Sequence, residues 1–258
     1  MAYTHRMQAN RLELKYLIDE RCAIRMREYV RTFLEPDEYA NPLKNNSYQI
    51  HSLYMDSPWL TLCYATMNGL KNRFKLRIRF YDDVPEHPVF FEIKRRVTDT
   101  ILKERCAVHR SSVPHLLAGR WPERSDLLKY DTRNMGTLQR FCSLRDTVQA
   151  RGMCFVSYER EAYVSPHDDS VRVTFDRTLQ ASPFHDSGVQ NYLAVEPLPQ
   201  FQQPRLNAVV LELKFTDRFP RWMYDLVQSF NLKRWTMAKY VNCAMAMRGE
   251  ILENEPVG

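Results

Sequence analysis

Between residues 73 and 81 the chain reads RFKLRIRFY, with Arg73, Lys75, Arg77 and Arg79 on alternate positions and Phe74, Leu76, Ile78 and Phe80 between them. A period of two is the period of a β-strand with one apolar and one charged face; a helix would scatter the same charges around its circumference. One such strand is ordinary, because half-buried strands turn their polar side to water. Here the pattern recurs. RLELKYLID sets Leu12, Leu14 and Tyr16 against Arg11, Glu13 and Lys15, and VFFEIKRR sets Phe91 and Ile93 against Glu92, Lys94 and Arg96. TILKERCAVH carries Lys103 and Arg105 on one face, SVRVTFDRTL carries Arg172, Thr174 and Asp176, and AVVLELKF carries Glu212 and Lys214.

The shared polar face is short of Ser, Thr and Gln, and cations outnumber carboxylates on it. Arg11, Lys15, Lys75, Arg77, Arg79, Lys94, Arg96, Lys103, Arg105, Arg172 and Lys214 stand against Glu13, Glu92, Asp176 and Glu212. A solvated sheet gains from balanced cross-strand pairs. Crowded cations repel by about 4 kcal/mol per pair at 4 Å and an effective dielectric near 20, unless an anion lies among them. The expected fold is therefore α+β: a closed eight-stranded antiparallel β-barrel with the charges inside and the helices packed outside. The expected ligand is a narrow, densely charged anion such as a phosphate chain. Chemistry on such a chain needs cationic clamps and a divalent metal held by carboxylates. Glu212 first, then Glu92 and Glu13, suit that role, with service as internal salt-bridge partners as the alternative.

The helices are legible between the strands. Ile24, Met26, Tyr29, Val30, Phe33 and Leu34 form one stripe ending before Pro36, and WLTLCYATMNG reads as a short helix or turn closed by Gly69. Residues 112–151 read as helices broken at Gly119 and Gly136, and 181–206 as a long loop with a short strand near Tyr192 to Val195. Pro220 opens a helix carrying Trp222, Met223, Leu226, Val227 and Phe230, and a last helix from about Trp235 to Met247 carries Lys239. A formal net charge of +6 and a pI near 9.0 agree with an anionic partner without choosing one. There is no export signal and no apolar run able to span a bilayer, and the six cysteines show no metal-finger spacing, so the expectation is a cytoplasmic protein with reduced thiols. His51 and the other histidines form no ligand set. The aromatic residues fall on the strand faces opposite the cations, which argues against a nucleic-acid stacking groove.

The ordered series RLELKY, HSLYMDS, KLRIRFY, FFEIKRR, ILKERC, SYEREAY, VRVTFDR, VVLELKF and MAKY resembles the VTC domain, the polyphosphate polymerase branch of the triphosphate tunnel metalloenzymes. The likeness runs from about residue 10 to 248, as one domain within 1–258. It implies a tunnel that binds ATP with Mn²⁺ or Mg²⁺ and moves the γ-phosphoryl group onto polyphosphate. Lys15, Arg77, Arg79, Lys94, Lys103, Arg160, Arg172 and Lys239 match the family's tunnel cations, Glu212 its metal-binding carboxylate, and Tyr54 and Asp56 its Y-x-D. Arg11, Lys75, Arg105 and Lys214 are further substrate-binding candidates. Two positions depart from the pattern. Arg11 stands where related triphosphatases begin E-x-E-x-K, which favours holding a long polyanion over hydrolysis. Ala238 stands where the family usually has serine before the lysine. The chain resembles the stand-alone bacterial form, so coupling to a membrane or a regulator would need another protein. Hydrolysis of triphosphates, or polyphosphate binding without catalysis, are the alternatives to polymerisation.

Overall fold

The computed structural model describes residues 11–98, 100–168, 170–184, 193, 208–235 and 238–247. The strands are β1 (Arg11–Ile18), β2 (Glu35–Pro36), β3 (Ser47–Asp56), β4 (Asn72–Phe80), β5 (Val89–Val97), β6 (Thr100–Val108), β7 (Arg151–Val164), β8 (Val171–Pro183) and β9 (Val209–Thr216). The helices are α1 (Glu20–Val30), α2 (Thr61–Met67), α3 (Val113–Leu117), α4 (Thr132–Thr147), α5 (Arg221–Ser229) and α6 (Lys239–Met247).

All the strands join one antiparallel sheet in the order β1-β9-β8-β7-β3-β4-β5-β6, with the short β2 on β7. The alternation in the sequence holds through the register. Lys15 faces Glu212, Arg77 faces Glu92 and Arg160 faces Asp176, all on one side of the sheet. That side is concave. A flat sheet with strands about 4.8 Å apart would place β1 and β5 about 29 Å from each other, yet Lys94 Nζ on β5 lies 3.1 Å from Glu13 Oε2 on β1.

The expected closed eight-stranded barrel does not form. The sheet has nine strands, and β1 and β6 remain its unpaired edges among the described residues. Side-chain alternation reports which face a residue occupies. Closure depends instead on strand tilt, stagger and curvature summed across the sheet, which alternation does not encode. Side chains such as Lys94 and Glu13 reach between strands that share no ladder.

The helices are also not all outside. On the apolar side, α3 and α4 pack Val113, Leu116, Leu138 and Phe141 onto Ile78, Phe91, Ile93 and Val108. On that same side, α1 and α5 pack Met26, Val30, Met223 and Leu226 onto Val173, Leu211 and Leu213. In contrast, α6 buries Tyr240, Val241, Ala244 and Met245 against Ile50, Tyr54, Val156 and Tyr158. Register places Tyr54 beside Arg77, so α6 covers the less charged half of the concave face. Gly136 does not break α4, because burial of Leu138, Phe141 and Cys142 outweighs the cost of about 1 kcal/mol for one helical glycine. Gly69, at φ +64°, lies just beyond α2 as expected. The strand expected near Tyr192 to Val195 lies almost wholly outside the described residues. No helix among the described residues is long and apolar enough to cross a membrane, and the cysteines form no disulfide among the described residues.

Candidate functional site

Glu212, in the middle of β9, gathers the cations of four elements. Lys214 Nζ lies 2.6 Å from its Oε2 and Lys239 Nζ 2.6 Å from its Oε1, while Arg160 Nη2 and Lys15 Nζ stand at 3.5 and 3.8 Å. Beside it, Asp176 accepts two hydrogen bonds from Arg160, each 2.7 Å, and pairs with Lys239 at 2.7 Å. Lys239 reaches both carboxylates because it is the first residue of α6, whose N-terminal end is anchored inside the sheet. The next residue, Tyr240, stacks on Tyr54 at 4.7 Å and donates to Asp56 at 2.7 Å. Asp56 is itself fully buried and accepts from the backbone of Ser57, Leu62 and Cys63, which ties the start of α2 to the end of β3.

A second cluster centres on Glu92 of β5. Arg77 donates to it at 2.6 Å, Lys103 Nζ lies at 2.8 Å, and Arg105 and Arg79 stand at 3.6 and 4.0 Å. Arg77 also donates to Tyr54 Oη at 3.0 Å, and Arg79 to Tyr158 Oη at 3.2 Å. Glu13 bridges the opening, with Lys15 at 3.2 Å and Lys94 at 3.1 Å.

Burial alone would push these carboxyl groups up, but their cations win. Lys214, Lys239, Lys15 and Arg160 hold Glu212 well below the usual range, Arg77, Arg79 and Lys103 hold Glu92 there, and Lys94 and Lys15 hold Glu13 there. The lysines divide. Lys239 loses hydration, yet Asp176 and Glu212 raise it overall. Lys103 is pushed down to about 7, by burial first and then by Arg77 and Arg79 against the pull of Glu92. Lys214 falls to about 8 by burial, with Arg160 adding to the effect against Glu212 and Glu13. Lys75 goes well below the ordinary lysine value through burial and then Lys15, Lys94, Arg73 and Arg77. No described carboxylate pairs with Lys75, and its register partner is another lysine, Lys94.

The structure therefore brings together most of the sequence-derived candidates: Lys15, Arg160, Lys214 and Lys239 around Glu212, and Arg77, Arg79, Lys103 and Arg105 around Glu92. Lys94 and Lys75 line a cleft of about 220 Å³ with Glu13, Lys15, Arg73 and Trp235. Arg172 stands apart at the rim, bonded to Asp37 at 2.7 Å and Tyr48 at 3.1 Å. Arg11 begins β1, and its side chain lies outside the described part. Asp176 belongs to the site as fully as Glu212. The alternation Arg172, Thr174, Asp176 already placed it on this face, although nothing in sequence linked it to Lys239. The separation of aromatics from cations is corrected: Tyr48, Tyr54, Tyr158 and Phe90 share the concave face through register with Arg160, Arg77 and Arg79. His51 is on the other side, bonded to Ser157 at 2.7 Å and stacked on Phe80, and burial pushes it down to about 4.

The sequence model of the VTC domain family matches residues 10–248. The chain belongs to the VTC domain family. No curated protein matches it. Among solved structures, a candidate adenylate cyclase from Bacillus halodurans aligns at 12% identity over 88% of this VTC domain chain and 92% of its own, with a TM-score of 0.48. The PH1819 protein from Pyrococcus horikoshii OT3 aligns at 13% identity over 92% of this chain and 99% of its own, with a TM-score of 0.45. Likenesses that distant carry no argument about this VTC domain.

For a metal, the donor chemistry sets a limit. No group of three or more His, Cys, Asp or Glu side chains among the described residues could hold an ion. Glu212 lies near enough to Glu13 to raise its affinity for a proton, although Lys94 and Lys15 prevail. Hard cations of the Mg²⁺ type are commonly held by one or two carboxylates plus substrate phosphates. The residues fit an ion shared with a phosphate chain.

Proposed function

We propose that this VTC domain is a polyphosphate polymerase that transfers the γ-phosphoryl group of ATP to the end of a polyphosphate chain and releases ADP. The observation that carries the reading is the row Arg79, Arg77, Lys75, Arg73 on β4. At about 3.3 Å per residue it extends about 20 Å along the strand, longer than three linked phosphates, and Lys75 within it lacks any described anionic partner. Such a row suits a chain that continues beyond the nucleotide.

In this scheme Arg77, Arg79 and Lys103 clamp phosphoryl oxygens on one side, and Lys15, Arg160, Lys214 and Lys239 do so on the other. Lys94, Lys75 and Arg105 extend the cationic surface, and Arg172 serves at the rim with Arg11 at the start of β1. The bond between the γ-phosphorus and the bridging oxygen breaks, and its electron pair leaves on ADP. A terminal phosphate oxygen of the acceptor chain forms the new bond. That oxygen is already anionic, so the step needs positioning and charge stabilisation more than a base. A divalent ion, Mn²⁺ or Mg²⁺, held by Glu212 with Glu13 as a second candidate and Glu92 as a third, would neutralise phosphate charge. Glu13, Glu92, Asp176 and Glu212 are all engaged by cations and held ionised, which makes them weak bases for activating water and favours transfer over hydrolysis.

Phosphorus NMR of the purified protein with ATP and Mn²⁺ tests the assignment. A growing internal-phosphate resonance with ADP release is expected. Orthophosphate without polymer would replace the polymerase with a hydrolase, and intact ATP beside bound polyphosphate would replace it with a binding module.

A further inference from the structure

The concave face has two unlike ends. Arg73 and Lys75 mark one, at the start of β4. At the other, where β4 ends and β5 begins, aromatic rings form a rim. Tyr39 meets Tyr48 with ring centroids 6.2 Å apart, Tyr48 meets Tyr81 at 6.4 Å, and Tyr81 meets Phe90 edge-on at 5.9 Å. The Arg105 guanidinium lies 3.5 Å from the centroid of Phe90 and donates to Tyr81 Oη at 3.4 Å. Tyr39 is 67% exposed, so the rim is open to solvent.

A purely inorganic chain has no use for ring faces, whereas a purine or pyrimidine does: stacking on aromatic side chains and on Arg is sequence-tolerant and adds to phosphate contacts. A second observation lies just inside the rim. Arg79 Nε, 4.0 Å from Glu92 Oε2, and Ser52 Oγ, on paired residues that are 6% and 0% exposed, have no hydrogen-bond partner among the described residues. Buried polar atoms of this kind are normally satisfied, and a bound group or water supplies what the chain does not.

We propose that the rim of Tyr39, Tyr81, Phe90 and Arg105 is a base-stacking subsite that holds the nucleoside of a nucleoside triphosphate, with its phosphates directed along β4 toward Lys75. The assignment rests on the reading of the concave face as a phosphate-chain site. It gives the site a polarity, with the organic end of the substrate at the tyrosine rim and the cations of Lys75 and Arg73 left for the polymer.

Isothermal titration with ATP and with inorganic tripolyphosphate separates the two ideas. For Tyr81→Leu, ATP should bind roughly tenfold more weakly, as expected for loss of one stacking contact, while tripolyphosphate affinity stays within about twofold of wild type. Tyr39→Ala alters an exposed ring and guards against a folding defect; it should weaken ATP selectively and by a smaller factor. Equal weakening of both ligands, or no change in either, overturns the stacking subsite. Failure of the unaltered protein to bind either ligand would instead overturn the phosphate-chain reading, and the subsite with it.

Discussion

Lys75 offers the sharpest test, because one substitution should move stability and binding in opposite directions. It faces Lys94 across β4 and β5, and Arg73 and Arg77 lie two residues away on its own strand. Like charges about 7 Å apart at an effective dielectric near 20 repel by about 2.4 kcal/mol. Glu92 and Glu13 offset part of this through Arg77 and Lys94, and water screens a half-buried side chain further. A net relief of about 1–2 kcal/mol is therefore expected when Lys75→Gln removes the charge. For a chain of this length that corresponds to a rise in Tm of about 2–8 °C. The same change deletes a charge-assisted contact to phosphate, so polyphosphate should bind about tenfold more weakly or worse. Calorimetric melting with and without polyphosphate reads both effects: the variant should melt above wild type when free and gain less from the ligand. A lower Tm for the free variant, or unchanged affinity, would refute the idea that the site stores repulsion for a polyanion.

Proton linkage provides a second check. Folded Lys103 and Lys214 titrate near 7 and 8, whereas an unfolded lysine holds its proton to about 10.4. Unfolding thus takes up protons between those values, and these two groups make the free protein more stable as pH rises through that window. Polyphosphate would restore their charge, so binding should take up protons near pH 8 and weaken toward pH 10, measurable by titration calorimetry in buffers of different ionisation enthalpy; no proton uptake would count against their contact with the ligand. Glu212→Gln should abolish metal-dependent turnover while retaining polyanion binding, followed by phosphorus NMR and titration, and normal turnover would remove Glu212 from the metal site. Tyr240→Phe keeps the stack on Tyr54 but deletes the bond to Asp56; it should cost about 1–2 kcal/mol in a denaturant melt and lower kcat more than it raises KM, since Lys239 follows the position of α6. A stability loss with kcat unchanged would make Tyr240 purely structural.

The sequence alone determined the strands and the sorting of their side chains, because the two-residue period of an extended chain is a local property. Glu13, Lys15, Lys75, Arg77, Glu92, Lys94, Glu212 and Lys214 could be placed on one face from alternation, and the surplus of cations there pointed to an anion. Helix α4 shows where local signals mislead, since Gly136 weakens helix propensity but cannot outbid the burial of Leu138 and Phe141. Aromatic partition failed in two ways: Phe90 shares the two-residue period of Glu92 and Lys94, and Tyr158 that of Arg160, so their place beside the cations was local, whereas Tyr48 and Tyr54 join Arg160 and Arg77 only through register between strands. The tertiary structure alone decided that β1 and β6 form no ladder with each other among the described residues, that α6 enters the concavity, that Lys239 meets Asp176 as well as Glu212, and that no described carboxylate pairs with Lys75. Each depends on distances between residues far apart in the chain. Those distances are set by the accumulated twist and curl of the whole sheet, and no periodicity within a single strand records them.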